Sequence, residues 1–176
     1  MATVTRLERQ KKAQDRVNVY LDGIFAFGLN ELDAATLRTG QELSETDIAH
    51  LRDKDTVVKA INKGVDLLSR RPRSTDEIRQ RLARKEDPPS TIEAALERLE
   101  RMGYLDDRSF ATFWIENRNR HKPRGERALR YELRNKGVSD AIIDELLDEL
   151  VDEQEAAYDA AQARIRRMRG KSEAEF

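Results

Sequence analysis

Apolar positions along this chain first alternate and then shift to helical spacing. From Arg16 to Leu21, Val17, Val19 and Leu21 alternate with Asn18 and Tyr20, the period of a half-buried strand. Asp22-Gly23 follows, a pair suited to a type I′ hairpin turn because both central residues take φ > 0. Ile24 to Leu29 reads as the next strand, with Phe25 and Phe27 on one face. Thr3 to Gln10, bearing Thr and Val, adds a strand before them. The start of the chain is therefore expected to be a small three-stranded antiparallel meander, which needs a helix to cover it.

Helical spacing then takes over. A short helix is expected over 31–37, ended by Thr39-Gly40. Ser44 opens another, with Asp47 completing a variant of the capping box. From Thr56, Val57, Ile61, Val65 and Leu68 recur at four, four and three, a helical stripe closed by Pro72. Gly64 inside it costs about 1 kcal/mol relative to Ala. Capping boxes at Ser74–Glu77 and Ser90–Glu93 predict helices over 75–85 and 91–102, and Gly103 suits the left-handed residue after the second. Asp107 is the expected N-cap of a helix over 108–121 carrying Phe110, Phe113 and Trp114 as core aromatics. Pro123 and Gly125 break it. Helix 126–136 carries Leu129 and Leu133 and ends at Gly137. Ser139 caps helix 140–151, with Ile142, Ile143, Leu146, Leu147 and Leu150. A last helix begins at Glu153, where Ala156, Ala157, Ala160 and Ala161 lead to Ile165, Arg166, Arg167 and Met168.

These helices repeat. At an offset of 51 positions Pro72-Arg73 meets Pro123-Arg124, Ile78 meets Leu129, Leu82 meets Leu133 and Lys85 meets Lys136. Ile92 meets Ile143, Leu96 meets Leu147 and Leu99 meets Leu150. Each copy is a long helix, a Pro-Arg break, a basic helix and a more acidic one, and such units bury a core by stacking on neighbours. The expected fold is mainly α, with tandem three-helix repeats in an elongated array and a small N-terminal antiparallel β-hairpin or meander module. The expected division is 1–54 for the β module with short helices, 55–105 and 106–152 for the two repeats, and 153–176 for the first helix of an incomplete third.

Composition narrows the functional classes. Thirty-eight per cent of the residues are charged and 6% aromatic, so the core must be built from one apolar stripe per helix. No apolar run approaches the roughly 20 residues of a membrane span, and no signal-peptide core opens the chain. Cysteine is absent, which excludes disulfides and thiolate chemistry and fits a reducing cytoplasm. His50 and His121 stand apart, without metal-ligand spacing. Net charge is −1, but it is segregated. Arg108 to Lys136 holds nine Lys/Arg against three Glu, whereas Asp140 to Glu155 holds eight Asp/Glu and no Lys/Arg. Such asymmetry places a polyanion-attracting face beside an acidic one.

No catalytic constellation is present. Asp106-Asp107 is the one adjacent carboxylate pair near the aromatic helix, and Asp107 is better explained as a cap. No Gly-rich phosphate loop or Ser-His-Asp arrangement occurs, so neither enzyme activity nor a cofactor nor a metal is expected. The basic helices carry the stronger signal. Arg127, Arg130 and Arg134 recur at three and four and share a face, opposite Leu129 and Leu133. Lys122 and Arg124 precede that helix near its positive N-terminal end. Arg71 and Arg73 occupy the same places in the first repeat, where Arg79, Arg81 and Arg84 decorate the helix. A basic face repeated at fixed period suits a long polyanion or a polymer of identical subunits. Tyr131, between arginines, fits either core or stacking. Two other readings stand beside this one: a helix-turn-helix reader of duplex DNA, and a protein scaffold with no salt-sensitive DNA effect.

Leu67-Leu68-Ser69-Arg70-Arg71-Pro72-Arg73-Ser74 forms a motif with Gly103-Tyr104-Leu105-Asp106-Asp107, Lys122-Pro123-Arg124-Gly125 and Leu133-Arg134-Asn135-Lys136-Gly137-Val138. Together they resemble the RecX family of recombination regulators over about residues 56–170. Tyr20-Leu21-Asp22-Gly23 and Phe25-Ala26-Phe27-Gly28 are similar to the N-terminal module of its longer members. The resemblance implies a non-enzymatic, cytoplasmic, monomeric protein acting in DNA repair and the SOS response. It implies binding to the RecA recombinase filament on single-stranded DNA, inhibition of its ATPase and strand exchange, and direct DNA contact in some members. Carried over, Arg71, Arg73, Arg79, Lys122, Arg124, Arg127, Arg130 and Arg134 become the expected filament or DNA contacts. Family members usually complete a third repeat, and this sequence is expected to offer its first helix alone.

Overall fold

Three strands form where alternation expects them: β1 (Ala2–Arg9), β2 (Arg16–Leu21) and β3 (Ile24–Asn30). A computed structural model describes residues 1–11, 13, 15–84, 87–150 and 153–172, excluding the side chains of 150, 153–156, 167 and 169–172. Asp22 and Gly23 take φ of 50° and 85°, as the hairpin turn requires. The expected meander gains a fourth strand, β4 (Glu42–Leu43), which pairs with β1 and makes the order β3-β2-β1-β4. Two residues are too few to show a period, so the pattern cannot reveal this strand. Phe25 and Phe27 do not share a face. The register slips where Val19 pairs Phe27 and Tyr20 pairs Phe25, and this bulge at Ala26 turns Phe25 outward. Phe27 is buried, whereas Phe25 is 55% exposed and packs edge-on against Tyr20 at 5.9 Å.

The helices follow with shifted ends. They are α1 (Glu31–Ala34), α2 (Glu45–Arg70), α3 (Thr75–Ala83), α4 (Pro89–Arg101), α5 (Asp107–His121), α6 (Glu126–Arg134), α7 (Asp140–Leu150) and α8 (Glu153–Ser172). The helix opened by Ser44 and the stripe from Thr56 are one continuous α2. Ser44 and Asp47 do exchange the expected bonds, the Ser44 amide donating to Asp47 Oδ2 and the Asp47 amide to Ser44 Oγ. Asp55, just before that stripe, is buried inside α2. α4 starts at Pro89, so Ser90 lies inside the helix rather than capping it; proline is well suited to a first helical position. Leucines and isoleucines matched by the repeat are buried in both copies, at 78 and 129, 82 and 133, 92 and 143, and 96 and 147. Lys85 and the side chains of Leu150, Ala156 and Arg167 lie outside the described residues. No described helix is long and apolar enough to cross a membrane.

The Cα positions gather into two compact units, one from residues 1–65 and 82–98, the other from 66–81 and from 99 onward. In the first, Val4, Val17, Val19, Leu21, Phe27 and Leu29 of the sheet pack with Leu37, Leu43 and Leu51. Asp55 is 4% exposed and is held by Arg16, whose two terminal nitrogens donate to its two oxygens at 3.0 Å each. Arg16 Nη2 also donates to the Gly28 carbonyl, and Lys59 adds a second cation at 2.7 Å.

In the second unit, Phe110, Ala111 and Ile115 of α5 pack with Leu129 and Leu133 of α6 and Ile143, Leu146 and Leu147 of α7. Phe113, expected in this core, is 43% exposed, because one helical stripe cannot hold 110, 111, 114 and 115 as well as 113. The N-terminus of α3 is closed from two directions. Ser74 Oγ accepts from the Glu77 amide, and the Glu77 carboxylate reaches back to the Ser74 amide, the expected capping box. Asp107 accepts from the Thr75 amide at 2.8 Å. It therefore caps α3, not α5 as expected; Asp106 is the N-cap of α5, accepting from the amides of Arg108 and Ser109. Ser74 Oγ donates to the Lys136 carbonyl, and Lys136 Nζ returns a bond to Glu77 at 3.1 Å. That ammonium also sits 4.2 Å from the Trp114 ring centroid, a cation–π distance.

Three outcomes follow for stability. Asp55→Ala strands Arg16 without its carboxylate, and urea unfolding should show a loss of about 3–5 kcal/mol, partly recovered by adding Arg16→Met. Gly103 and Gly137 both have positive φ, but a Cβ at Gly137 would sit 2.3 Å from Asp76 Cβ, whereas one at Gly103 meets nothing within 4 Å. Gly103→Ala should cost about 1–2 kcal/mol, and Gly137→Ala measurably more in the same assay. Burial alone would raise the Glu77 carboxyl, but hydrogen bonds from Arg71 and Lys136 outweigh it and hold it below its usual range. Its contribution is therefore complete above the unfolded value of about 4.3 and lost as pH falls through the lower folded value. The melting-temperature gap between the native chain and Glu77→Gln should be open at pH 7 and narrow below about pH 4.3.

Candidate functional site

The eight basic residues singled out by the repeat divide into those the fold uses and those it leaves over. Arg71 donates to both Glu77 oxygens, at 3.2 and 3.0 Å, and to the Pro72 carbonyl. Arg73 Nε donates to the Leu67 carbonyl at 3.1 Å; burial and neighbouring Arg71 pull its guanidinium below the usual arginine range. Arg79 pairs with Asp76 at 3.4 Å. Arg71 and Arg79 thus serve the start of α3, and Arg73 the last turn of α2.

In the second repeat the shared face of α6 is also occupied. Arg130 pairs with Asp144 of α7 and, at 2.8 Å, with Glu126 one turn earlier. Those hydrogen bonds, that to Asp144 first, push its guanidinium further up. Arg134 Nε donates to Asp140 at 2.6 Å, which raises Arg134 and lowers Asp140. The basic face of α6 thus meets the acidic start of α7, and the opposite charges seen in the sequence largely answer one another. Arg108 pairs with Glu145 and Glu149 of α7. Arg118 Nε and Trp114 Nε1 both donate to Glu132 Oε2, at 2.7 and 2.8 Å, with the guanidinium 4.7 Å from the Trp114 ring centroid.

Lys122, Arg124 and Arg127 remain. None has an ion-pair partner among the described residues, and the same holds for Arg120. Lys122 is the C-cap of α5 and its amide donates to the Arg118 carbonyl at 2.8 Å. Arg124 is partly buried, and its Nε has no hydrogen-bond partner. Arg127 is exposed on the first turn of α6. The N-cap of α6 is Gly125, which makes no side-chain cap hydrogen bond, and Glu126 is the one acidic residue in its first turn.

Lys122 and Arg124 line a cleft of about 470 Å³ with Arg164 of α8. Arg164 escaped the sequence reading because α8 lies outside the two matched repeats. The signal was there: Ala160, Arg164 and Met168 fall four apart on one face, and all three line the cleft. Tyr131 is 68% exposed on the same helix as Arg127. Among the described residues no group of three or more His, Asp or Glu is placed to hold a metal ion.

Comparison with known proteins agrees with this geometry. Three family models match in order: the regulatory protein RecX N-terminal domain over residues 2–44, the RecX first three-helix domain over 60–99 and the RecX second three-helix domain over 106–147. The chain is 39% identical to the regulatory protein RecX of Levilactobacillus brevis over 145 residues, covering 81% of this chain and 54% of that protein. It is 35% identical to that of Bacillus subtilis, covering 81% and 55%. The chain thus spans about half the length of the curated relatives it matches. A crystal structure of regulatory protein RecX superposes with a TM-score of 0.81 at 29% identity, covering 97% of this chain and 85% of that one. With the β module, two three-helix domains and their matching residues in one order, the chain belongs to the RecX family.

Proposed function

We propose that this protein is a non-enzymatic regulator of homologous recombination and the SOS response. It acts in the cytoplasm as a monomer, binding the RecA filament on single-stranded DNA and lowering its ATP hydrolysis and strand exchange. The observation that carries this reading is where positive charge is left after internal pairing. Arg130, Arg134 and Arg108 are answered by α7, whereas Lys122, Arg124 and Arg127 at the joint of α5 and α6 have no ion-pair partner among the described residues. A positive surface of this kind recognises a polyanion or a nucleoprotein without reading sequence. The family relation supports the choice of partner, and the division into residues 1–54, 55–105, 106–152 and 153–176 is proposed as its modular organisation.

The test is ATP hydrolysis by RecA pre-assembled on single-stranded DNA, with this chain titrated at fixed salt. Hydrolysis should fall with dose, and Arg124→Glu/Arg127→Glu should shift the half-effective concentration upward by about tenfold or more, as two charge reversals at a polyanion contact would. Arg134→Ala, whose charge is already spent on Asp140, should shift it less than twofold. A saturating dose with no effect, together with tight binding to one preferred duplex sequence, would replace this reading by a helix-turn-helix transcriptional regulator.

A further inference from the structure

Two rungs of opposite charge join α6 to α7. Arg134 Nε donates to Asp140 at 2.6 Å, and Arg130 donates to Asp144. The step between rungs is four residues on each helix, taken in opposite directions, so both rungs run along the same side of an antiparallel pair. The next step of that register brings Glu126 level with Asp148, two carboxylates, and the ladder stops. Arg127 falls outside it. The other carboxylates of α7 turn elsewhere. Glu145 and Glu149 take Arg108 of α5, and Asp148 has no ion-pair partner among the described residues.

The fold does not require this ladder. Leu129 and Leu133 of α6 already pack with Ile143, Leu146 and Leu147 of α7. At the 51-residue offset Ala83 and Pro89 hold the places of Arg134 and Asp140, and α3 and α4 form without that pair. The side chains of Arg134 and Asp140 remain 53% and 60% exposed, and pairs this exposed contribute little to stability. What the pair changes is binding. A guanidinium that already holds a carboxylate has no counterion to release, so an incoming anion gains only the difference between two partners. The exposure of the pair leaves it within reach of such an anion.

We infer that Asp140 and Asp144 are affinity-setting residues, built-in competitors that hold Arg134 and Arg130 against an incoming polyanion and so weaken its binding to the basic face of α6. Arg130 keeps Glu126 as a second partner, so Arg134 is the cation most changed when its carboxylate is lost. The inference deepens the function proposed above and rests on it for the identity of the polyanion. It inverts the ordinary result of mutating an ion pair: neutralising an acid on α7 strengthens the protein's action.

The experiment takes two readouts on the full chain. One is the half-effective concentration in ATP hydrolysis by RecA on single-stranded DNA. The other is the salt that elutes the chain from a heparin column, a sulfated polyanion that needs no recombinase. Asp140→Asn/Asp144→Asn should lower the half-effective concentration about threefold, the scale of exposed ion pairs, and elute at higher salt. Asp148→Asn makes on the same helix the charge change that Asp140→Asn makes, but releases no arginine, and should shift either readout clearly less than Asp140→Asn does. The decisive variant is Arg134→Ala. It costs little in the native chain, where Asp140 already holds the guanidinium, but in the Asp140→Asn background it should abolish the gain. A purely structural ladder gives the opposite result: Asp140→Asn would lower the melting temperature and weaken both readouts, which would overturn the inference. Equal gains from Asp140→Asn and Asp148→Asn would also overturn it, as would the same cost of Arg134→Ala in both backgrounds. Tighter heparin binding by Asp140→Asn, reversed by Arg134→Ala, with RecA hydrolysis untouched by any of the chains, would keep the role of the ladder and defeat the regulatory reading. Inhibition of hydrolysis at the same dose by every chain, with one elution salt for all, would keep that reading and defeat the ladder.

Discussion

The second unit depends on how the N-terminus of α3 is satisfied. A helix start presents amides that its own backbone cannot bond, and here they are closed by groups distant in sequence. Asp107 bonds the Thr75 amide across 32 residues, and Ser74 bonds the Lys136 carbonyl across 62. Lys136 returns through Glu77, and Gly137 follows where any Cβ would collide with Asp76. The second repeat is thereby locked to the start of α3 by polar bonds as well as by packing. In a chain that is 38% charged with few aromatics, such fixed polar contacts supply orientation that a thin apolar stripe does not.

Most of the fold was legible because each element carries its own local signal. The period at 17, 19 and 21, the Asp22-Gly23 turn and the buried pairs at 51-residue offset all concern neighbours within one element or its copy. The misreadings share a different cause. Phe25 turns outward because of a bulge whose partner lies on another strand. The helix from Ser44 and the stripe from Thr56 join into one α2, where the buried Asp55 is held by Arg16, 39 residues away. Asp107 leaves its own helix to cap another. In each case a long-range partner decides, and a window of ten residues cannot contain it.

The same distinction divides the candidate site. Counting charge over 108–136 and 140–155 located the basic and acidic segments correctly, but a count cannot say which charges are spent on each other. The structure pairs Arg130 with Asp144 and Arg134 with Asp140, so a face that looked uniformly available is reduced to its first turn and the joint before it. Surface pairs of this kind contribute little to stability. Their larger effect is to decide which cations remain exposed with their full charge. Arg164 joined the site only through folding, since the last helix lies outside the two matched copies of the repeat.

The difference between Ser74 and Gly125 also has a meaning for how such a chain can change. Duplication made two copies of one joint, and structural duty fell on the first. There Ser74, Arg73 and the carboxylate of Asp107 are each committed to bonds that hold the unit together, so almost any substitution is a defect. At the second joint Gly125 makes no side-chain cap and Arg124 Nε has no hydrogen-bond partner among the described residues, so substitutions at these two positions remove fewer internal bonds. The duplicated motif therefore gives one sequence both a conservative copy and a free one. Change can be tried at the free copy while the other preserves the architecture.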